Sequence, residues 1–259
     1  MFRPRVIPVL LLKNKGLVKT VKFKNPAYLG DPINTVRIFN DLEADELIFL
    51  DITATKEGRT IDEDIVRKIG EEAFMPFAVG GGIKNLNDIR SLIKAGAEKI
   101  VINSAAITNP QLIKEAALTY GNQSIIVSID VKLNFLGKYK IAIVGGSQTV
   151  DKNYVEHAQE MEHLGAGEII INSIDCDGTM RGYDTILIKS VADSVTIPVI
   201  ACGGAGKLSD FSVAVNKANA SAIAAGSMFV YHGERKAVLI NYPEKRQLET
   251  IIFTNQGNS

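Results

Sequence analysis

Eight short apolar runs punctuate the chain, at residues 6–12, 47–52, 76–81, 100–103, 125–130, 169–174, 198–204 and 222–227. They are apolar without alternation, as expected of parallel strands covered on both faces. Between them lie stretches of helical period. In "NLNDIRSLIKAG", Leu86, Ile89, Leu92 and Ile93 share one face, and Gly96 stands where a helix would end. A further segment, "KYKIAIVGG", follows the fifth run like an added strand pair. Eight strand–helix units with no polar edge strand predict a closed (β/α)8 TIM barrel of the α/β class rather than an open doubly wound sheet. The 259 residues fit such a barrel as a single domain, 1–259.

The pattern also repeats. "PFAVGGGI" answers "PVIACGGAG", with Gly80 on Gly203, and "VINSAA" answers "AAGSMF", with Ser104 on Ser227, both at an offset of 123. Asp51 falls on Asp175 at an offset of 124. Two half-barrel repeats explain these near-equal spacings. Laying "RVIPVLLLK" on "IIVSIDVK" sets Leu11 on Asp130, at an offset of 119. One half ends its first strand in a carboxylate; the other ends it in leucine.

Composition narrows the function mainly by exclusion. Lys and Arg number 29 against 29 Asp and Glu, which gives no electrostatic case for nucleic acid or an anionic membrane surface. No run approaches the ~20 apolar residues of a membrane span. The N-terminal apolar stretch is cut by Pro8 and lacks a small-residue cleavage site, so the reading is a cytoplasmic protein. Cys176 and Cys202 read as reduced thiols. His157, His163 and His232 have no metal-ligand spacing, and the first two are expected on a solvated helix. No cofactor and no metal is predicted.

In a barrel the chemistry sits at the C-terminal strand ends. Gly80, Gly81, Gly82, Asn103 and Ser104 form one Gly-rich and hydroxyl cluster there; Gly203, Gly204, Gly226 and Ser227 form its counterpart. Exposed backbone N–H groups and a hydroxyl suit a phosphate, and the pair suits a phosphorylated small molecule with an anion at each end. The plainer reading is a set of tight strand-to-helix turns. Asp51, Asp130, Asp175 and Asp177 also end apolar runs, where they can move protons, orient a hydroxyl or cap the next element. Asp130, last in its run, is the strongest catalytic candidate. At the opposite rim Arg5, Glu46, Lys99 and Glu168 each stand just before a strand, placing two positive and two negative charges around the bottom opening. They read as a structural ring of salt bridges or as a gate.

Together, "ADELIFLDITA", "VGGGI", "KIVINSAAITNP", "SIDCDGTMRGYDT" and "PVIACGGAGK" resemble the cyclase subunit of imidazole glycerol phosphate synthase, from Arg5 to about Phe229. The resemblance implies a barrel that binds a bisphosphorylated aminoimidazole carboxamide ribotide, docks a glutaminase subunit on its N-terminal face and passes ammonia upward. It implies phosphate or substrate contacts at the two clusters and at Asp51, Asp175 and Asp177, and a first-loop role for Lys19. It also makes Arg5, Glu46, Lys99 and Glu168 the ammonia gate. Leu11 stands where the family carries the Asp that partners Asp130; Ala78 replaces a Thr, Cys176 an Arg and Cys202 a Ser. This pattern is similar to a second, cyclase-like branch beside surface-polysaccharide genes, which implies ammonia delivery to a third protein, a sugar amidotransferase. The alternative is the cyclase of histidine biosynthesis itself. After Phe229 the sequence departs from the family and carries no functional reading.

Overall fold

In the computed structural model, which describes residues 3–233 and 235–253, all eight apolar runs form strands. They are β1 (Arg5–Lys13), β2 (Leu47–Asp51), β3 (Phe77–Gly80), β4 (Lys99–Ile102), β5 (Ile125–Leu133), β6 (Glu168–Ser173), β7 (Val199–Cys202) and β8 (Ala222–Ala225). Each pairs in parallel with the next, and β8 pairs with β1 from Arg5↔Ala222 to Pro8↔Ala225. Closure removes both sheet edges. The result is the expected (β/α)8 barrel.

Two apolar layers hold it. The outer layer lies between strands and helices and includes Phe39, Phe49, Phe77, Phe211 and Phe229. The inner layer fills the barrel with Ile7, Val9, Leu11, Ile48, Ala78, Val101, Ile126, Ile170, Ile200, Cys202, Ala222 and Ala224. Strand side chains alternate faces, so the inner residues fix a parity on every strand. On β1 the inward positions are odd, running Arg5, Ile7, Val9, Leu11; on β6 they are even, running Glu168, Ile170, Asn172. Each inward column therefore joins the bottom rim to the top.

The helix over "NLNDIRSLIKAG" spans Leu86–Lys94; Asn85 caps it through Asn87 N and Asp88 N, and Gly96 follows at φ +112°. The "KYKIAIVGG" segment supplies Tyr139–Ile143, which pairs antiparallel with β5 and with Gln148–Val150. A matching hairpin after β1, Gly16–Val21 with Lys24–Gly30, was not anticipated. Its turns place Asn14 and Lys15, then Lys22 and Phe23, at positive φ. The second pair lacks the Asn-Gly or Asp-Gly signature that announces such turns.

Two further findings were hidden in the sequence. His157 is buried, not solvated, at 1% exposure on the inner side of the helix Tyr154–His163, whereas His163 is exposed. Burial pushes the His157 imidazole down to about 4, with the Lys152 charge adding to the effect and Glu160 opposing it. Beyond β8 the chain forms the strand pair Tyr231–His232 and Ala237–Val238 and the helix Lys245–Phe253. Between them Tyr242 turns inward, its ring 5.5 Å from that of Phe229 and 6.4 Å from that of Phe39.

Candidate functional site

At the N-terminal rim the four charges form a closed cycle. Arg5 donates to Glu46 and, at 2.6 Å, to Glu168; Lys99 Nζ reaches Glu46 at 3.0 Å and Glu168 at 2.8 Å. Both carboxylates are buried, so each depends on its two cations for compensation. Outside the cycle, Arg3 grips Asp45 with two N–H bonds, Asp45 accepts from Val6 N at 2.8 Å, and Tyr242 Oη donates to Val6 O at 2.8 Å. Tyr242, beyond β8, thus helps to hold the strand that carries Arg5.

Above the ring lies the inner apolar layer, and above that a cavity of about 590 Å³ opens among the C-terminal strand ends. Its wall is apolar at Val9, Leu11, Ile48, Leu50, Val101 and Ile170 and polar at Asn103, Ser128, Asp130 and Asn172, with Lys13, Lys19, Lys56 and Lys84 also lining it. Leu11 and Asp130 stand on β1 and β5, four strands apart in a ring of eight, and so face each other across the barrel. Asp130's carboxyl is pushed up to about 7, chiefly by burial, with the Asp177 charge adding to the rise and the Asn172 hydrogen bond opposing it. It can exchange a proton near neutral pH. Leu11 cannot. Burial likewise pushes the Cys202 thiol up to about 12, which leaves it protonated and a poor nucleophile.

Parity sorts the other candidates. Asp51 is out of step with the inward column of β2 (Glu46, Ile48, Leu50). Its carboxylate touches the cavity wall, but it is taken up by Thr53 N, Thr53 Oγ1, Ala54 N and, at 2.6 Å, Arg59. Asp175 is not part of the cavity wall; it accepts from Leu133 N at 2.8 Å and ties β5 to the loop after β6. Asp177 is buried on the wall and pairs with Lys19, whose Nζ lies 3.2 and 3.3 Å from its two oxygens. Lys22 N also donates to Asp177 O at 2.9 Å, so the first hairpin docks on the loop after β6 and carries Lys19 inward.

The two phosphate clusters are not equivalent. Gly81, Gly82, Asn103 and Ser104 all line the cavity, as does Gly226, whereas Gly203, Gly204 and Ser227 are not part of its wall. Gly82 is required by packing as well: at φ +70°, a Cβ there would lie 1.8 Å from Arg59 O. Gly204, at φ +119°, would meet Gly182 O at 2.1 Å. The turn reading therefore holds for both clusters. Ser104 Oγ accepts from Val144 N at 3.0 Å, while Ser227 Oγ is buried without a partner.

One residue of the site escaped the sequence reading. Asn172 lies on the inward column of β6 and donates through Nδ2 to Asp130 at 3.0 Å. The signal was present: Asn172 shares the parity of Glu168 on the same strand. Among the described residues no three His, Cys, Asp or Glu side chains converge as a metal site, and no helix is long and apolar enough to cross a membrane.

A family described as histidine biosynthesis protein matches residues 5–236. The chain is 46% identical over 249 residues to a Pseudomonas aeruginosa protein provisionally named imidazole glycerol phosphate synthase subunit hisF2, covering 96% of this chain and 99% of that one. A Leptospira interrogans protein, provisionally named imidazole glycerol phosphate synthase subunit HisF, is 44% identical over 257 residues, or 98% and 100% of the two chains, so the likeness runs on past Phe229, where the sequence was expected to depart from the family. The imidazole glycerol phosphate synthase subunit HisF of Clostridium botulinum is 44% identical over 246 residues, or 95% and 97%.

Proposed function

The chain belongs to the histidine biosynthesis protein family, and on that premise we propose that it is the barrel subunit of a glutamine amidotransferase complex. A glutaminase docks on the N-terminal face. Ammonia enters through the ring of Arg5, Glu46, Lys99 and Glu168 and crosses the inner apolar layer as the neutral molecule, which such a layer admits far more readily than ammonium. It emerges in the C-terminal cavity for a nitrogen-transfer reaction on a sugar, in the manner of the branch linked to surface polysaccharides, with a third protein as the acceptor enzyme. Phosphate is held by Gly81, Gly82, Asn103 and Ser104, and Lys19 closes over the ligand with the first hairpin.

The observation that carries this reading is Leu11 facing Asp130 while the ring at the other end is complete. A positioned acid or base contributes ~10²–10⁴-fold to rate, and leucine supplies none. Ring closure by two carboxylates is thereby impaired, whereas ammonia passage needs neither. The second reading, the cyclase of histidine biosynthesis, is favoured by Asp130, whose carboxyl near 7 is poised for proton transfer. The two are separated by giving the purified protein bisphosphorylated ribotide and an ammonium salt, beside Leu11→Asp. Turnover in the variant alone supports a conduit with a dormant cyclase site; family-like turnover by the wild type sinks it.

A further inference from the structure

A carboxylate-bearing residue is built against the anion cluster of the first half-barrel. Asp51 lines the cavity together with Gly81, Gly82 and Ser104. It abuts Gly81 directly: a Cβ on that glycine would lie 2.7 Å from Asp51 O and 3.0 Å from Asp51 Cβ. As a bare charge, Asp51 would repel any phosphate held by those glycines. It is not left bare. Oδ1 accepts from Thr53 N, Thr53 Oγ1 and Ala54 N at 3.0, 3.0 and 3.1 Å, and Oδ2 accepts from Arg59 Nη1 at 2.6 Å. Among the described residues Arg59 is the one cation paired with Asp51.

Arg59 itself is not part of the cavity wall. Its guanidinium is fixed by three further bonds, to Glu57 at 2.7 Å, Thr60 O at 2.9 Å and Thr53 Oγ1 at 3.0 Å. The same short segment shapes the cluster. Arg59 O fills the space that a Cβ on Gly82 would take, and Ile61 N donates to Gly81 O at 3.0 Å. The repeat counterpart of Asp51 is treated differently. Asp175 lies off the cavity wall and accepts from Leu133 N, with no cation paired to it among the described residues. A carboxylate at this repeat position is given a cation where it stands beside the open glycine cluster.

We propose that Arg59 is a positioning residue for anion binding: it neutralises Asp51, and so lets Gly81, Gly82 and Ser104 hold a phosphate that Arg59 never touches. This inference rests on the phosphate reading of the cavity above. With Asp51 compensated, Lys56 and Lys84, which also line the cavity, act on the anion unopposed. Without Arg59, the Asp51 charge cancels part of their attraction.

The test is calorimetric titration of inorganic phosphate at low salt into wild type, Arg59→Gln and the double variant Arg59→Gln with Asp51→Asn. Arg59→Gln is expected to bind phosphate about tenfold more weakly. Adding Asp51→Asn is expected to bring the affinity back to within about threefold of wild type, because the two lost charges cancel. A role confined to shaping the loop would not be repaired by removing a second charge. If Arg59→Gln does not fold, Arg59→Lys carries the test; it keeps the charge and is expected to stay within about threefold of wild type. Phosphate binding unchanged in Arg59→Gln, or weakened and not restored by Asp51→Asn, overturns the inference and leaves the phosphate reading standing. A loss of about tenfold in Arg59→Lys does the same. Absence of phosphate binding by the wild type overturns both.

Discussion

The two ends of this barrel hold comparable sets of polar side chains and use them in opposite ways. At the N-terminal rim Arg5, Glu46, Lys99 and Glu168 satisfy one another in a closed cycle. At the C-terminal mouth Asp130 carries a carboxyl raised toward neutrality, and Thr20, Asn172 and Ser227 keep buried atoms unpaired. A satisfied ring is stable as it stands. At the other end three sealed atoms go unpaired, so that end carries the cost of unmet hydrogen bonds. The same columns of alternating side chains build both, so the difference lies in which residue types stand at each end, not in the backbone.

The largest effect expected is at the mouth. Leu11→Asp places a carboxylate across the barrel from Asp130 on a cavity wall that opens to solvent. Cyclase turnover with ammonium is expected to rise ~10²-fold or more over wild type, with Leu11→Asn showing no comparable rise. A wild type already as fast as the variant would mean that the mouth is complete without a carboxylate at residue 11.

Next comes the ring. Lys99→Ala leaves the buried Glu46 and Glu168 sharing Arg5 alone. The expected loss is about 3 kcal/mol of unfolding free energy, seen as a lower denaturant midpoint. In the complex, glutamine hydrolysis should also run ahead of ammonia-dependent product. A variant as stable as the wild type would show that the pairs do not compensate each other.

Asp130→Asn separates the ends by pH. The folded protein holds the Asp130 proton up to about pH 7, whereas an unfolded aspartate releases it near 4. Above pH 4 the unfolded state therefore binds fewer protons, and wild-type stability falls as pH rises from about 4 to about 7, where the loss is complete. The variant lacks this penalty. Its thermal midpoint relative to wild type is expected to be higher at pH 8 than at pH 4, by an amount equivalent to about 4 kcal/mol. A pH-independent difference would show that burial does not raise the Asp130 carboxyl.

Both ends could be read in advance to different depths. The ring was legible because each of its four charges opens or immediately precedes an apolar run, and strand starts are easy to see. Asp130 was legible for the mirror reason, as the end of one. Asn172 was not: it lies inside "IIINSI", where only the two-residue alternation set by Glu168 and Ile170 marks it as inward. Asp51 and Asp175 were expected at the rim because they end apolar runs; Asp51 lines the cavity while engaged by Arg59 and the turn after β2, and Asp175 lies off its wall, bound to Leu133 N. The first hairpin was missed since its closing turn uses Lys22 and Phe23 at positive φ. His157 needed the packing of its helix, which a lone histidine among polar neighbours does not announce.

The smallest effect expected tests whether the ring stands alone. Tyr242 Oη donates to Val6 O at 2.8 Å and receives Asp45 N at 3.3 Å, and both partners adjoin ring residues, Arg5 and Glu46. Tyr242→Phe keeps the ring packed on Phe229 and Phe39 but removes both bonds, which predicts a loss of about 1 kcal/mol, or roughly 3 °C of thermal midpoint for a chain of this size. Because Arg3 and Asp45 still hold β1 at Val6 N, the four ring pairs are expected to keep their geometry and the coupling of glutamine use to product to stay at wild-type level. A drop in coupling with so small a loss of stability would mean that the segment beyond β8 sets the position of Arg5. The satisfied end of the barrel would then include Tyr242 as well as its four charges.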